Sequence, residues 1–231
     1  MIIKNNIVIN KIYNGEDKVR RIYKGTNKVF EYLPRGYKEC KYIRTVTGAN
    51  YINTGFIPNN YDGNYTLILD FQGIEIPSTS RYICGTGSPR SCNIRANTNG
   101  SIYIYNQSTS GSSAVTALSL SASEADILNR NKIKVILRNE DTTTLIKDGV
   151  EYTGTAVGKT NSTNAYRLGQ TTGSNGYDQK IYGAKIYDGN NNLVRNFIPC
   201  LDTNDVPCFY DSVTRRTFYN AGTGTFEYEE L

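Results

Sequence analysis

The chain of 231 residues carries a net charge of +5 and contains 19 tyrosines, one methionine, and neither tryptophan nor histidine. The absence of histidine excludes the catalytic triads and zinc sites that are built on that side chain. Tyrosine together with abundant Asn, Thr, Ser and Gly favours short strands joined by polar turns, so we predict either one large all-β domain or such a domain with a small appendage.

The N-terminal segment contains a short internal repeat. Residues 12–19 and 22–29 share Ile, Tyr, Gly, Lys and Val at matching positions, and each copy reads as a strand, a turn and a returning strand. We predict a β meander over residues 1–33, which either packs as an edge of the main domain or serves as an attachment module that a partner completes. The residues assigned to attachment are Ile12, Tyr13, Gly15, Ile22, Tyr23 and Gly25.

Positive charge is concentrated near the N-terminus. Residues 1–45 hold eleven Lys or Arg against four Asp or Glu, whereas the remaining residues carry a net charge of −2. Such a basic segment could bind nucleic acid or an acidic protein surface. Nucleic acid is the weaker of the two alternatives, because the basic residues are spaced singly along apparent strands and match no nucleic-acid motif. Residues 34–41, with Pro34 and Gly36, are predicted to be a linker.

The main domain is predicted to span residues 42–231. The near-continuous apolar run 65–71 predicts a central buried strand, and the segments 81–85, 91–95 and 101–105 repeat at the spacing of a β sandwich. Ser123 is expected to cap one helical turn. The remaining predicted strands are a weak one at 115–120, an alternating one at 132–138, a hairpin of 142–147 with 150–152, and a closing hairpin of 180–188 with 193–198.

Five cysteines without any C-x-x-C spacing indicate neither a zinc cluster nor a disulfide framework. A bridge between Cys200 and Cys208 and a set of buried free thiols are the two alternatives. No apolar run is long enough to span a bilayer, and the first residues lack the layout of a signal peptide, so we expect assembly in a cytoplasm and no membrane partner.

Five segments of the main domain carry a family resemblance. The order Tyr51-Ile-Asn-Thr-Gly-Phe-Ile-Pro58, Lys147-Asp-Gly149, Tyr182-Gly-Ala-Lys-Ile-Tyr-Asp188, Val194-Arg-Asn-Phe-Ile-Pro199 and Thr217 to Phe226 resembles the laminin-G or concanavalin-A-like jelly-roll domains of bacteriophage and prophage virion proteins. The N-terminal Ile-Tyr-x-Gly repeats are also similar to segments that open many such proteins.

The resemblance implies an antiparallel jelly-roll sandwich in a non-enzymatic virion structural protein, such as a head fibre, a capsid decoration protein or a tail-associated protein. Its implied partners are capsid or tail proteins, further copies of the chain and a surface glycan, and its implied location is the virion, assembled in the host cytoplasm. No cofactor is implied. The alternative is a receptor-binding adsorption protein or a glycan-active enzyme of the tail, because fold does not fix function.

Candidate sites follow from side-chain chemistry. Sugar binding would use an exposed tyrosine against a sugar face and Asn, Asp or Arg for its hydroxyls, which suggests Arg81, Tyr82, Asn175, Tyr177 and Asp178, although tyrosines also fill sheet faces.

Catalysis and metal binding are weaker hypotheses. The nearest pair of closely spaced carboxylates, Glu124 and Asp126, lies in a predicted loop or helical turn and does not reproduce a glycosidase motif, so no catalytic residue is assigned. The segments 188–192 and 202–205 have oxygen ligands suited to Ca²⁺ but are first of all turn sequences, so no metal site is assigned.

Overall fold

The computed structural model describes residues 2–4, 7–9, 13–14, 17–18, 21–24, 27–31, 33–87, 92–107, 114–138, 142–156, 162–171 and 175–231. The N-terminal strands are β1 (Ile2–Lys4), β2 (Ile7–Ile9), β3 (Tyr13–Asn14), β4 (Asp17–Lys18), β5 (Arg21–Lys24) and β6 (Asn27–Glu31). The following strands are β7 (Lys38–Thr45), β8 (Ile52–Asn53), β9 (Tyr65–Gly73), β10 (Arg81–Gly85), β11 (Cys92–Ala96), β12 (Ile102–Gln107), β13 (Ala114–Leu120), β14 (Asn131–Leu137), β15 (Thr142–Lys147) and β16 (Val150–Ala156). The last strands are β17 (Arg167–Leu168), β18 (Gln179–Asp188), β19 (Leu193–Leu201), β20 (Pro207–Asp211), β21 (Arg216–Phe218) and β22 (Glu227–Glu230), and the helical elements are a 3₁₀ turn (Pro58–Tyr61) and α1 (Ala122–Ala125).

Two antiparallel sheets form the main domain. The small sheet has six strands in the order β13-β12-β11-β10-β17-β8. The large sheet has ten, in the order β16-β15-β14-β9-β18-β7-β19-β20-β21, with β22 paired to β7. The predicted all-β jelly-roll sandwich is therefore confirmed as the fold.

The core lies between the two sheets because both present alternating apolar residues to each other. Leu67, Leu69 and Phe71 of β9 are almost fully buried, as are Ile94 of β11 and Ile104 of β12, and all belong to one cluster. At a side-chain period of two, the neighbouring residues of these strands must face outward. The outer face of each sheet is therefore a separate surface with its own chemistry.

Strand β18 occupies the centre of the large sheet. It pairs with β9 along nearly its whole length, with β7 at its start and with β19 at its end. The segment predicted as a closing hairpin does form the β18–β19 hairpin, but it holds the large sheet together from inside rather than closing one edge. The predicted central position of β9, between β14 and β18, is confirmed.

The N-terminal segment contains three two-stranded hairpins, β1–β2, β3–β4 and β5–β6. The second and third coincide with the two sequence repeats, whose strand–turn–strand pattern is therefore present. Each pair is a sheet of its own in the described residues rather than part of one continuous meander.

The start of the main domain differs from the sequence prediction. Lys38 to Lys41, assigned to a linker, form the first half of β7, and Leu33, assigned to the meander, is buried against Ile198. A turn in which Tyr37 N–H donates to Pro34 carbonyl connects the two. Leu33 and Lys38 to Lys41 thus belong to the packed part of the described residues, and the division into domains stays a prediction.

Two local predictions can be checked at the residue level. The cap of α1 is Ser121 rather than Ser123: its hydroxyl accepts from Glu124 N–H while the Glu124 carboxylate accepts from Ser121 N–H, which makes a capping box. The predicted turn between β15 and β16 is confirmed, with positive φ at Asp148 and Gly149 as a tight hairpin requires.

Cys40, Cys84, Cys200 and Cys208 are buried thiols, and none of these four is in a disulfide. Cys200 and Cys208 lie opposite each other on β19 and β20 with their sulfur atoms 3.6 Å apart. The interpretation as buried thiols is confirmed for these four. Among the described helices, none has the length and apolar character to cross a membrane.

Candidate functional site

The outer face of the small sheet carries a row of four polar side chains in register. Tyr82 on β10 lies opposite Arg95 on β11, Arg95 opposite Tyr103 on β12, and Tyr103 opposite Ser119 on β13. Tyr105 stands two residues further along β12. Tyr82, Arg95, Tyr103 and Tyr105 are all half-buried, and together we call them the tyrosine–arginine face.

Local sequence explains why these side chains point outward. Ile94 and Ala96 flank Arg95 and are buried in the core, as are Ile102 and Ile104 around Tyr103. On β10, a bulge between Tyr82 and Cys84 shifts the register. This lets Cys84 face the core while Tyr82 faces outward, a typical effect of a bulge.

Arg95 is held between aromatic rings. Its guanidinium carbon lies 4.9 Å from the centroid of the Tyr82 ring and 5.2 Å from that of Tyr105. Tyr103 and Tyr105 meet edge to face with centroids 5.8 Å apart. Cation–π contacts of this kind fix the guanidinium without using its hydrogen-bond donors.

Within the described residues, no hydrogen-bond partner is recorded for the donors of Arg95. Its Nε is buried without a hydrogen-bond partner, and within the described residues the guanidinium makes neither a hydrogen bond nor an ion pair. Arginine presents five N–H groups in a rigid fork, and this fork is suited to carboxylate and related oxyanions.

The six strands of the small sheet carry three arginines, Arg81, Arg95 and Arg167, and neither aspartate nor glutamate. Arg167 is also placed over a tyrosine ring, that of Tyr51, at 4.6 Å, and donates to the Thr171 carbonyl at 3.1 Å. The strands of this sheet therefore contribute only positive charge.

The predicted sugar-binding residues do come together, beside this face. Arg81, Tyr177 and Asp178 line a cleft of about 180 Å³ that also includes Thr47, Glu75, Pro77 and Ser78. Arg81 Nη1 donates to the Asn175 side-chain oxygen at 3.5 Å, and Tyr82 N–H donates to the Asn175 carbonyl at 2.8 Å. Arg81, Tyr82 and Asn175 thus join the cleft to the tyrosine–arginine face.

Two of the predicted residues have structural roles instead. Tyr177 is only 1% exposed, so its ring cannot cover a sugar face, and its hydroxyl donates to the Glu75 carbonyl at 2.5 Å. Burial also raises the pKa of Tyr177. Asp178 accepts two hydrogen bonds of 2.8 Å from Arg44 and so is already engaged; the pairing raises the pKa of Arg44. Tyr177 and Asp178 thus have structural contacts of their own, and the prediction that these two side chains meet a ligand stays untested.

The outer face of the large sheet is also rich in tyrosine and charge, and its Arg130 is paired with a carboxylate. Arg130 donates twice to Asp70 at 2.9 Å and lies 4.0 Å over the Tyr182 ring. Tyr182 in turn donates to Gln72 at 2.9 Å. A shallow cleft of about 150 Å³ adjoins this network, whose groups satisfy one another.

The carboxylates considered for metal binding serve turns. The Asn192 side-chain amide and the N–H groups of Asn192 and Asn190 donate to Asp188, which lowers the pKa of Asp188. Asp202 accepts from Asn204 and Val206 N–H in the same way. Over the ranges that the structure describes, no group of three or more Cys, Asp or Glu side chains is arranged to hold a metal ion.

The closely spaced acids near α1 are likewise engaged. Glu124 belongs to the capping box, and its hydrogen bonds to Ser121 lower its pKa. Asp126 ends the helix in a left-handed conformation and accepts from Asn129 at 3.0 Å. Both carboxylates therefore stabilise local structure.

The predicted attachment residues fall in the N-terminal hairpins. Tyr13 lies on β3 and Ile22 and Tyr23 lie on β5, whereas Ile12, Gly15 and Gly25 lie outside the described residues. The side chains of these strands are also outside the description, so the attachment role stays a prediction.

Sequence reasoning missed Arg95, Tyr103 and Tyr105. The signal is present in the alternation of Asn93-Ile-Arg95-Ala and Ile102-Tyr-Ile-Tyr105, which places every second residue on the same face. What sequence alone does not show is the pairing of β11 with β12, which brings the arginine between the rings.

No protein-family model matches the sequence, and no curated protein is significantly similar to it. Among solved structures, one of a proposed carbohydrate-binding protein from Bacteroides ovatus matches with a TM-score of 0.56 at 12% identity. The match covers 90% of this chain but only 65% of the length of that protein. At this identity the similarity shows the β-sandwich fold alone.

Two further solved structures are similar to this chain, with lower TM-scores. The CBM40 module of the Ruminococcus gnavus IT-sialidase matches with a TM-score of 0.45 at 14% identity, over 68% of this chain and 92% of the module. A heptameric SAP-like pentraxin from Limulus polyphemus matches with a TM-score of 0.42 at 11% identity, over 65% and 70%. Scores this low add nothing to the assignment of the fold.

Proposed function

We propose that the chain is a non-catalytic, glycan-binding protein that is displayed on a bacteriophage virion through its N-terminal segment. The observation that carries the glycan-binding part is the tyrosine–arginine face. Tyrosine rings that are partly exposed beside a fixed hydrogen-bond donor provide what a sugar requires, namely an apolar platform and a polar contact at its edge.

The flanking groups fit the same role. Ser119 is exposed at one end of the row, and Arg81 and Asn175 lie at the other end. Their hydroxyl, guanidinium and amide groups are suited to sugar hydroxyls. A flat face of this kind favours weak binding that is strengthened when several copies engage one surface, as on an oligomer or a virion.

Binding to a glycan array tests the proposed glycan binding at the tyrosine–arginine face. Tyr103→Ala and Tyr105→Ala should each abolish detectable binding, whereas Tyr187→Ala is the matched control, because Tyr187 is a half-buried tyrosine on β18 of the large sheet. Equal binding by all three variants, or none by the unmodified protein on a broad array, would reject the proposed face.

The virion role rests on the family resemblance of the sequence and on the hairpins of the basic N-terminal segment. Two-stranded hairpins are marginal alone and gain stability when a partner pairs with their edges. Capsid or tail proteins, and further copies of this chain in a homo-oligomer, would provide such edges. Particles assembled with C-terminally labelled protein, viewed by electron microscopy, would show label on the head or tail.

The attachment role has its own test. A chain that begins at Leu33 should fold but fail to join particles, whereas full-length protein joins them. Incorporation of the shortened chain would overturn attachment through residues 1–32.

The position of the label also separates decoration from adsorption. Label on the capsid favours a head fibre or decoration protein, and label at the tail tip favours receptor binding. The non-catalytic proposal is supported by the capping role of Glu124. Release of reducing sugar by the protein, lost on Glu124→Gln, would overturn it.

A further inference from the structure

Arg95 differs from two other half-buried or exposed arginines, Arg44 and Arg130, each of which is paired with a carboxylate. Arg44 is paired twice with Asp178 at 2.8 Å, and Arg130 is paired twice with Asp70 at 2.9 Å. Arg95 has no such partner in the part of the chain that the structure describes, although it is half-buried on the same kind of surface. A half-buried charge without a counter-ion is a costly arrangement for a protein to keep.

The packing of Arg95 prepares it for a ligand rather than for an internal partner. Tyr82 and Tyr105 approach the guanidinium at 4.9 and 5.2 Å, so that its position is restricted. Its buried Nε lies on the protein side, and the two terminal nitrogens, which are not among the buried unpartnered atoms, remain for an incoming group. An oxyanion can accept from both terminal nitrogens at once, and little side-chain entropy is lost.

Charge on the small sheet points to the same class of ligand. The strands of this sheet carry three arginines and no acidic residue. A surface of one charge sign attracts ligands of the opposite sign and repels like-charged ones.

We propose that Arg95 recognises an oxyanion on the bound glycan, so that the protein selects acidic glycans that bear a carboxylate or sulfate group. This inference rests on the proposed glycan binding at the tyrosine–arginine face. In the complex, the oxyanion accepts from the terminal nitrogens of Arg95, and the sugar ring of the same residue lies against Tyr103 or Tyr105.

Matched glycan pairs test the inference. Isothermal titration of the full chain would compare oligogalacturonate with its neutral methyl ester, 3′-sialyllactose with lactose, and sulfated galactan oligosaccharides with their neutral, desulfated form. We expect at least one acidic member to bind roughly tenfold or more tightly than its partner, the scale of a charge-assisted hydrogen-bond pair. The first two pairs report carboxylate recognition, and the third reports sulfate recognition.

Variants then assign the preference to Arg95. Arg95→Gln should bring the acidic ligand down to the affinity of the neutral one, and Arg95→Lys should retain part of the preference because it keeps the charge but loses the fork. Arg130→Gln is the control, since that arginine lies on the large sheet, and should keep the full preference. Circular dichroism would verify folding, and Arg95→Lys carries the test if Arg95→Gln does not fold.

The outcomes separate this inference from the proposed function. Equal binding of acidic and neutral members by the unmodified protein would overturn the role of Arg95 and leave glycan binding intact. An undiminished preference for the acidic member in either Arg95 variant would do the same. The absence of binding to any glycan would overturn the proposed function itself.

Discussion

The hydroxyl of Tyr177 donates a 2.5 Å hydrogen bond to the carbonyl of Glu75, across 102 positions of sequence. This bond connects the segment before β18 to the loop after β9. Gly73 lies under the same ring, and a Cβ at that position would overlap the Tyr177 hydroxyl. Tyr177 is therefore a packing residue in the wall of the cleft that Arg81 and Asp178 also line.

Tyr177→Phe should lower the free energy of unfolding by about 1 kcal/mol, because one buried hydrogen bond is lost while the ring stays. Tyr177→Ala should cost about 3 to 5 kcal/mol, the range for deleting a buried aromatic ring. Urea denaturation followed by fluorescence measures both. Tyr187→Phe is the control and should change little, and a glycan-binding defect in Tyr177→Phe without loss of stability would argue against this role.

Stability should fall in acid because of Asp202. The N–H groups of Val206 and Asn204 and the hydroxyl of Tyr219 donate to its carboxylate and lower its pKa in the folded state. A depressed pKa adds stability that is fully present above the unfolded value of about 3.9 and is lost as the pH falls through the folded value. Asp202→Asn should therefore destabilise the protein at pH 7 by about 1 to 2 kcal/mol.

The difference in the free energy of unfolding between Asp202→Asn and the unmodified protein should become smaller below about pH 4, since protonation then removes from the unmodified protein the charge that the variant lacks. Thermal melts from pH 7 to pH 2.5 measure it. A gap that is constant across this range would show that the charge of Asp202 does not stabilise the turn.

Two glycines should respond to alanine for different reasons. At Gly154 on β16, a Cβ would overlap the carbonyl oxygen of Ala117 on β13, where the two sheets meet. Gly154→Ala should force the edges apart and cost about 1 to 3 kcal/mol.

At Gly149 the surroundings are open, but φ is +81°, so Gly149→Ala should cost only the conformational penalty of about 1 to 2 kcal/mol. Thermal unfolding measures the stability of both variants, and we expect Gly154→Ala to be the less stable of the two. The reverse order would mean that the sheet edges adjust freely.

The buried thiols should resist alkylation in the folded protein. Burial raises the pKa of Cys40 to about 12, and the pKa of Cys200 is raised by its hydrogen bond with Cys208 and by burial. Thiolate is the reactive form, so iodoacetamide at pH 8 should leave both unmodified until denaturant is added. Mass spectrometry of peptides with and without denaturant measures this, and rapid labelling of Cys40 in the native protein would contradict its burial.

Much of the fold could be predicted from periodicity. The alternation of residues 132–138 and the apolar run of β9 identified strands that the structure contains, and Asp148-Gly149 identified a hairpin. The burial of Leu33 was missed because it depends on a tertiary contact, the packing of Leu33 on Ile198. The cap at Ser121 was missed although the local pattern Ser121-x-x-Glu124 of a capping box is present in the sequence.

The candidate site was found only in part for a related reason. Tyr82 was chosen for its residue type, which sequence shows, whereas Arg95 depends on the register between β10, β11 and β12, which sequence does not show. Tyr177 has the same residue type as Tyr82 but the opposite exposure, because it precedes β18 and packs over Gly73. Residue type identifies candidates, and strand register decides among them.

The central position of β18 has a consequence for synthesis of the chain. Its partners β7 and β9 are made more than a hundred residues earlier and have no completed sheet to join until residues 179–188 leave the ribosome. The large sheet therefore forms late, from contacts that are distant in sequence, which slows folding and leaves strand edges exposed meanwhile. A nascent chain stalled before β18 would be a target for chaperones, even though it already contains most of the core residues.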